Sequence, residues 1–170
     1  MRRRAPTIGR PRIPEATMTN PLQIVCSSCD SLVRVPGDRL GDGPRCPKCH
    51  APLFDGKPIT LTAANFDRHV TQDGLPLIVD FWAPWCGPCR AMAPVFEQAA
   101  AQFEPNARFA KLNTEDAGAV SARHGIRSIP TLVVFHGGRE VARQTGALDR
   151  GSLDRWVSAE LSKLPRTLSG

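Results

Sequence analysis

Phe81-Trp82-Ala83-Pro84-Trp85-Cys86-Gly87-Pro88-Cys89 decides how this sequence folds. An apolar run from Leu77 ends at Trp82 to Ala83, Pro84 breaks it, and the residues after Cys86 have helical character. The pattern predicts a strand, a short loop, and a helix that starts at the first cysteine. Two cysteines at i and i+3 on a first helical turn are close enough to close a small disulfide ring. The unpaired N–H groups and positive dipole end of that turn favour a thiolate at Cys86. Pro88 is tolerated because first-turn amides have no intrahelical partner.

Outward from this segment the chain alternates strand and helix patterns. Thr62 is placed to cap a helix through Val70, and Leu77 to Ala83 reads as a strand. Ala91 to Phe103 reads as a helix kinked at Pro94, and Ala107 to Asn113 as a strand. Ala117 to His124 is a short helix. Thr131–His136 and Arg139–Thr145 are strands joined by a Gly137-Gly138 hairpin. Leu153 to Leu164 is a closing amphipathic helix. The alternation predicts an α/β domain over residues 58–165, a mixed sheet with helices on both faces.

All six cysteines occur in Cys-x-x-Cys pairs. Cys26 and Cys29 are followed, after sixteen intervening residues, by Cys46 and Cys49. That spacing suits a tetrahedral four-thiolate zinc site. Leu22 to Val25 and Ser31 to Val35 read as short strands around the first knuckle, with turn signals at Pro36-Gly37 and Gly41 to Pro44. Residues 22–55 therefore form a zinc-ribbon module, too small to fold without such a staple. Two disulfides are the alternative. His50, beside Cys49, reads as a surface residue, as do His69, His124 and His136.

The net charge of +6 is unevenly placed. Arg2, Arg3, Arg4, Arg10 and Arg12 against Glu15 leave the folded part nearly neutral. With no basic face and no interleaved aromatics in the ribbon, the sequence argues against nucleic-acid binding. No apolar run reaches the roughly 18 residues of a membrane span. Residues 1–21 read as a disordered basic tail without the apolar core of an export signal. Two alternatives are a transit peptide and a start at Met18. Paired cysteines without an export signal predict a reducing, cytoplasmic setting.

From about Ile59 to Leu164 the sequence resembles the thioredoxin family. The resemblance rests on Trp-Cys-Gly-Pro-Cys at 85–89, Asp80-Phe81-Trp82-Ala83, Lys111-Leu112-Asn113, Ile129-Pro130-Thr131 and Gly146-Ala147-Leu148, in family order. With the four-cysteine module in front, the whole is similar to the zinc-containing bacterial branch of that family. The resemblance implies a thioredoxin fold and a protein-disulfide reductase acting in redox homeostasis and oxidative-stress defence. It implies a cis Ile129-Pro130 bond opposite Cys86, with Ile129 backbone groups free to pair with an extended substrate. Trp85, Gly87, Pro88, Ile129, Pro130 and Gly146 are then the substrate-binding residues. Electrons would come from an NADPH-dependent thioredoxin reductase. Zinc is the one cofactor, with no organic cofactor on the chain, which is expected to act as a monomer.

The residue-level reading agrees. Leu77, Val79 and Phe81 lie on one face of their strand, and Ile78, Asp80 and Trp82 on the other. Both faces are apolar apart from Asp80, so the strand is central and Asp80 is buried. A buried carboxylate is costly without a purpose. Either Asp80 accepts structural hydrogen bonds, or it is a proton acceptor for Cys89 with a raised pKa. Lys111 shares a strand face with Phe109 and can bias Asp80 electrostatically. The alternative for Lys111 is a surface lysine whose stem packs on apolar neighbours. Two rival functions remain. A secretory oxidase or isomerase would carry an export signal and a histidine between the cysteines. A chaperone-like binding protein would keep its activity without Cys86.

Overall fold

The computed structural model describes residues 21–165. The expectations for the N-terminal tail fall on residues 1–20 and lie outside the described residues. The chain opens with β1 (Leu22–Val25) and β2 (Leu32–Val35), an antiparallel pair, followed by a 3-10 turn at Gly37–Asp42. Then come β3 (Ile59–Leu61), α1 (Phe66–Gln72), β4 (Leu77–Trp82), α2 (Gly87–Phe103), β5 (Arg108–Asn113) and α3 (Gly118–Arg123). β6 (Thr131–His136), β7 (Arg139–Thr145) and α4 (Arg150–Ser162) complete it.

The main sheet has the order β3-β5-β4-β6-β7. β4 is parallel to β5 and antiparallel to β6, so it is central, as its two apolar faces require. Its alternate residues enter separate cores. Leu77, Val79 and Phe81 pack with Phe66 and Val70 of α1 and Val120 of α3. Ile78 packs on the other face with Met92 and Phe96 of α2 and Leu153 and Val157 of α4. The expected mixed sheet with helices on both faces is therefore present. Gly137 and Gly138 both take positive φ (61° and 78°), the turn that lets β6 and β7 pair closely.

Several expectations are corrected. β3 was not expected, because its three residues follow directly on a Gly-Lys-Pro linker. Thr62 caps nothing: the Asn65 side chain precedes α1 and accepts from the Thr62 N–H at 2.7 Å. α2 starts at Gly87 with Cys86 as its N-cap, as the Cys-Gly-Pro-Cys segment predicts, and the helical stretch read from Ala91 is its continuation, running unbroken through Pro94. α4 starts at Arg150, because the Asp149 carboxylate accepts from the Ser152 N–H at 2.8 Å and caps it. The histidines are not all surface residues. His69 is buried, with Nε2 2.8 Å from Asp30 Oδ1. His124 is half-buried among the Phe66, Phe81 and Phe135 rings. A second cis proline bond, Glu104-Pro105, had no sequence signal.

The four-cysteine ribbon is seated against the sheet at the end where β4 and β5 begin. Its core of Ile24, Val33, Val35, Leu40 and Leu53 takes in Leu75 from the loop before β4. The Gly74 N–H donates to the Gln23 carbonyl at 2.7 Å. A Cβ at Gly74 would stand 3.1 Å from that same oxygen, a tight contact that glycine avoids.

Candidate active site and metal centre

β4 and its loop deliver Cys86 to the N-cap of α2, at the end of the sheet away from the ribbon. Cys86 and Cys89 are joined as a disulfide, with Cα atoms 5.2 Å apart. The Cys89 N–H donates to Cys86 Sγ at 3.2 Å. In the reduced pair this bond and the helix terminus stabilise negative charge on that sulfur. Both cysteines are buried, Cys86 at 4% and Cys89 at 2% exposure. Gly87 and Pro88 are exposed on the first turn, and Trp85 stands out at 67% exposure.

The loop before β6 closes the other side. Ile129-Pro130 is cis, and the Ile129 carbonyl oxygen lies 3.9 Å from Cys86 Sγ. Gly146, at φ +95°, donates its N–H to the Pro130 carbonyl at 2.9 Å and holds this loop to the end of β7. Trp85, Gly87, Pro88, Ile129, Pro130 and Gly146 thus lie on the elements that border the sulfurs.

Asp80 is buried beneath the pair and contributes to the wall of a cavity of about 90 Å³ shared with Cys89, Trp82, Lys111 and Glu97. Its Oδ1 has no hydrogen-bond partner among the described residues. Burial raises its pKa to about 7, with Lys111 pulling the other way. Lys111 is the register partner of Asp80 on β5, and its ammonium sits 5.8 Å from the centroid of the Trp82 ring. The cavity is therefore lined both by a carboxyl with a pKa of about 7 and by Cys89.

At the other end, the sulfurs of Cys26, Cys29, Cys46 and Cys49 all lie within 4.8 Å of one another. The Cys26–Cys49 and Cys29–Cys46 separations are 3.6 and 3.7 Å. A tetrahedral zinc with Zn–S bonds of about 2.3 Å requires sulfur–sulfur edges of about 3.8 Å, so the donor set fits the ion. The four cysteines are unpaired, with sulfur separations that suit a shared metal rather than the two-disulfide alternative. His50 is exposed and contributes no atom to the cluster. Sequence reasoning missed Asp73, His69 and Arg108, which hold the ribbon in place. Their one signal was a charge at a position facing the core, as with Arg108 at the start of an apolar strand.

A mixed sheet that presents a disulfide-forming cysteine pair at a helix N-cap, flanked by the Ile129-Pro130 loop, has the arrangement of a thiol–disulfide oxidoreductase. A family model described as Thioredoxin matches residues 57–159, and one described as "Thioredoxin 2, N-terminal", a zinc ribbon, matches residues 25–51. Thioredoxin C-3 of Corynebacterium nephridii is 44% identical over 140 residues, 82% of this chain and 96% of that relative. Thioredoxin of Pyropia yezoensis is 44% identical over 102 residues, 60% of this chain and 95% of the relative. Thioredoxin of Haemophilus influenzae is 40% identical over 101 residues, 59% and 94% of the two lengths. The chain belongs to the thioredoxin family, oxidoreductases that reduce protein disulfides by thiol–disulfide exchange. Among the described residues, no helix is long and apolar enough to cross a membrane.

Proposed function

We propose that this chain is a cytoplasmic protein-disulfide reductase that works through Cys86 and Cys89 in redox homeostasis and oxidative-stress defence. The supporting observation is the buried pair: Cys86 at a helix terminus, and Cys89 facing a cavity it shares with Asp80. The Cys86 thiolate attacks one sulfur of a substrate disulfide. A Cys86–substrate bond forms, the substrate S–S bond breaks, and the departing sulfur takes a proton from solvent. Asp80 then accepts the Cys89 proton, and the Cys89 thiolate attacks Cys86 Sγ. The Cys86–Cys89 bond forms, the mixed disulfide breaks, and the second substrate sulfur leaves. Two electrons have passed to the substrate, and an NADPH-dependent thioredoxin reductase returns them.

Trp85, Gly87 and Pro88 offer an exposed platform beside the sulfurs, and the Ile129-Pro130 loop offers backbone groups to an extended substrate. Gly146 supports that loop. Lys111 keeps the Asp80 carboxylate within reach of neutral pH by favouring its charged form. In the ribbon, Cys26, Cys29, Cys46 and Cys49 hold one zinc ion, which supplies part of the ribbon's folding free energy.

The test is trapping. Cys89→Ser should accumulate substrates as mixed disulfides on Cys86, seen as bands that collapse with reductant on a non-reducing gel. Cys86→Ser should accumulate none. Trapping by Cys86→Ser alone would reverse the roles of the two cysteines, and equal trapping by both variants would contradict the assignment of separate roles.

A further inference from the structure

We propose that Arg108 and Asp73, which belong to the redox unit, are positioning residues of the metal centre. They fix the bases of both cysteine knuckles, so the ribbon's affinity for zinc depends on the unit it sits on. The inference rests on reading the four cysteines as a zinc site.

Arg108 is the first residue of β5 and is 1% exposed. Its Nη1 donates to the Val25 carbonyl at 2.6 Å and to Asp73 Oδ2 at 2.7 Å, and its Nη2 donates to the Leu53 carbonyl at 3.0 Å. Asp73 Oδ2 also accepts from the Val25 N–H at 3.1 Å, and Oδ1 accepts from the Leu75 N–H at 3.0 Å. Both backbone polar groups of Val25 therefore end on these two side chains. Val25 leads directly into Cys26.

Leu53 plays the matching part for the second knuckle. Its N–H donates to the Pro44 carbonyl, and the adjacent Pro52 bridges to Arg45, the residue before Cys46. One planar guanidinium thus spans the chain entering the first knuckle and the chain leaving the second. Only arginine has donors in a rigid fork that can do this while pairing with a carboxylate.

A buried ion pair is a weak source of stability, because desolvation cancels much of its attraction. This one also leaves Arg108 Nε without a hydrogen-bond partner among the described residues. What it supplies is fixed geometry. Four thiolates bind tightly only if their two pairs already face each other, and groups that orient metal ligands typically contribute about 10–100-fold in affinity.

The test uses the full chain under reducing conditions. Zinc is titrated against a chromophoric chelator, and melting is followed with and without zinc. The variants are Arg108→Lys, Arg108→Met and, as a control, Arg123→Met, which breaks an exposed pair with Asp67. Arg108→Lys keeps the charge opposite Asp73 but cannot reach both carbonyls, so it decides the matter if Arg108→Met does not fold. The expected result is a roughly 10–100-fold loss of zinc affinity in the Arg108 variants, none in the control, and a smaller rise in melting temperature when zinc is added. Parental affinity in Arg108→Lys, with melting lowered equally in the zinc-free and zinc-loaded forms, would make Arg108 purely structural and overturn the proposal. Absence of zinc binding by the parent would instead overturn the zinc reading on which it rests.

Discussion

Asp80 ties sequence, burial and chemistry together in one residue. Its carboxyl is held at about 7 by burial, against about 3.9 for an exposed aspartate. Between those values the folded protein binds a proton that the unfolded chain has released. The Asp80 contribution to stability is therefore most favourable below the unfolded value and falls as pH rises towards 7, by roughly 4 kcal/mol in all. Asp80→Asn removes that loss, so its melting temperature should exceed the parent's above pH 7 and converge with it near pH 4. Its rate of disulfide reduction should fall about 100-fold at neutral pH and recover partly at high pH, where the Cys89 thiol ionises unaided. Full activity across a pH series, or melting well below the parent at pH 8, would make Asp80 structural. This residue was legible because a charge inside a run apolar on both faces has few explanations. Arg108 was not, since a basic residue at a strand end usually faces water, and only the ribbon packed over it shows otherwise.

Among the elements, the strands and the hairpin were the most legible. β6 and β7 have the expected bounds because Gly137-Gly138 separates two clear strand patterns. The start of α2 was legible from its cysteine pair, but the starts of α1 and α4 were not, because a helix start depends on local polar contacts that the sequence pattern does not show. Asp149 caps α4, while α1 starts after Asn65 with no side-chain cap bond, where a later start and a Thr62 cap had been expected. His69 and His124 were misread for a related reason: isolation in sequence says nothing about packing. The ribbon was legible from cysteine spacing, and its sulfur geometry now carries a quantitative expectation. Protein purified under reducing conditions should contain about one zinc per chain, and peroxide should release it to a metallochromic indicator as the thiolates oxidise. Metal analysis showing no zinc would contradict this.

For the whole molecule, the sequence divides into a ribbon and a redox domain, but the seam between them is more intimate than a linker suggests. Leu75 is buried in the ribbon's core, and Glu104 accepts from the Gly56 N–H at 2.8 Å. The two cores on either face of the main sheet nevertheless consist entirely of residues from Ile59 onward. A chain lacking residues 1–57 should therefore fold and reduce disulfides. It should melt below the full protein, because Leu75 becomes exposed and Arg108 loses two carbonyl acceptors. Circular dichroism melting of both forms checks this, and an unfolded truncation would show that the ribbon is required.

The central claim is that the chain reduces protein disulfides through Cys86. Insulin reduction, followed as NADPH consumption in the presence of a bacterial thioredoxin reductase, tests it most directly. The full chain should turn over insulin, and Cys86→Ser, still folded by circular dichroism, should show no activity above the reductase alone. Turnover by Cys86→Ser at the parental rate, or none by the parent when supplied with chemically reduced dithiol, would contradict the account.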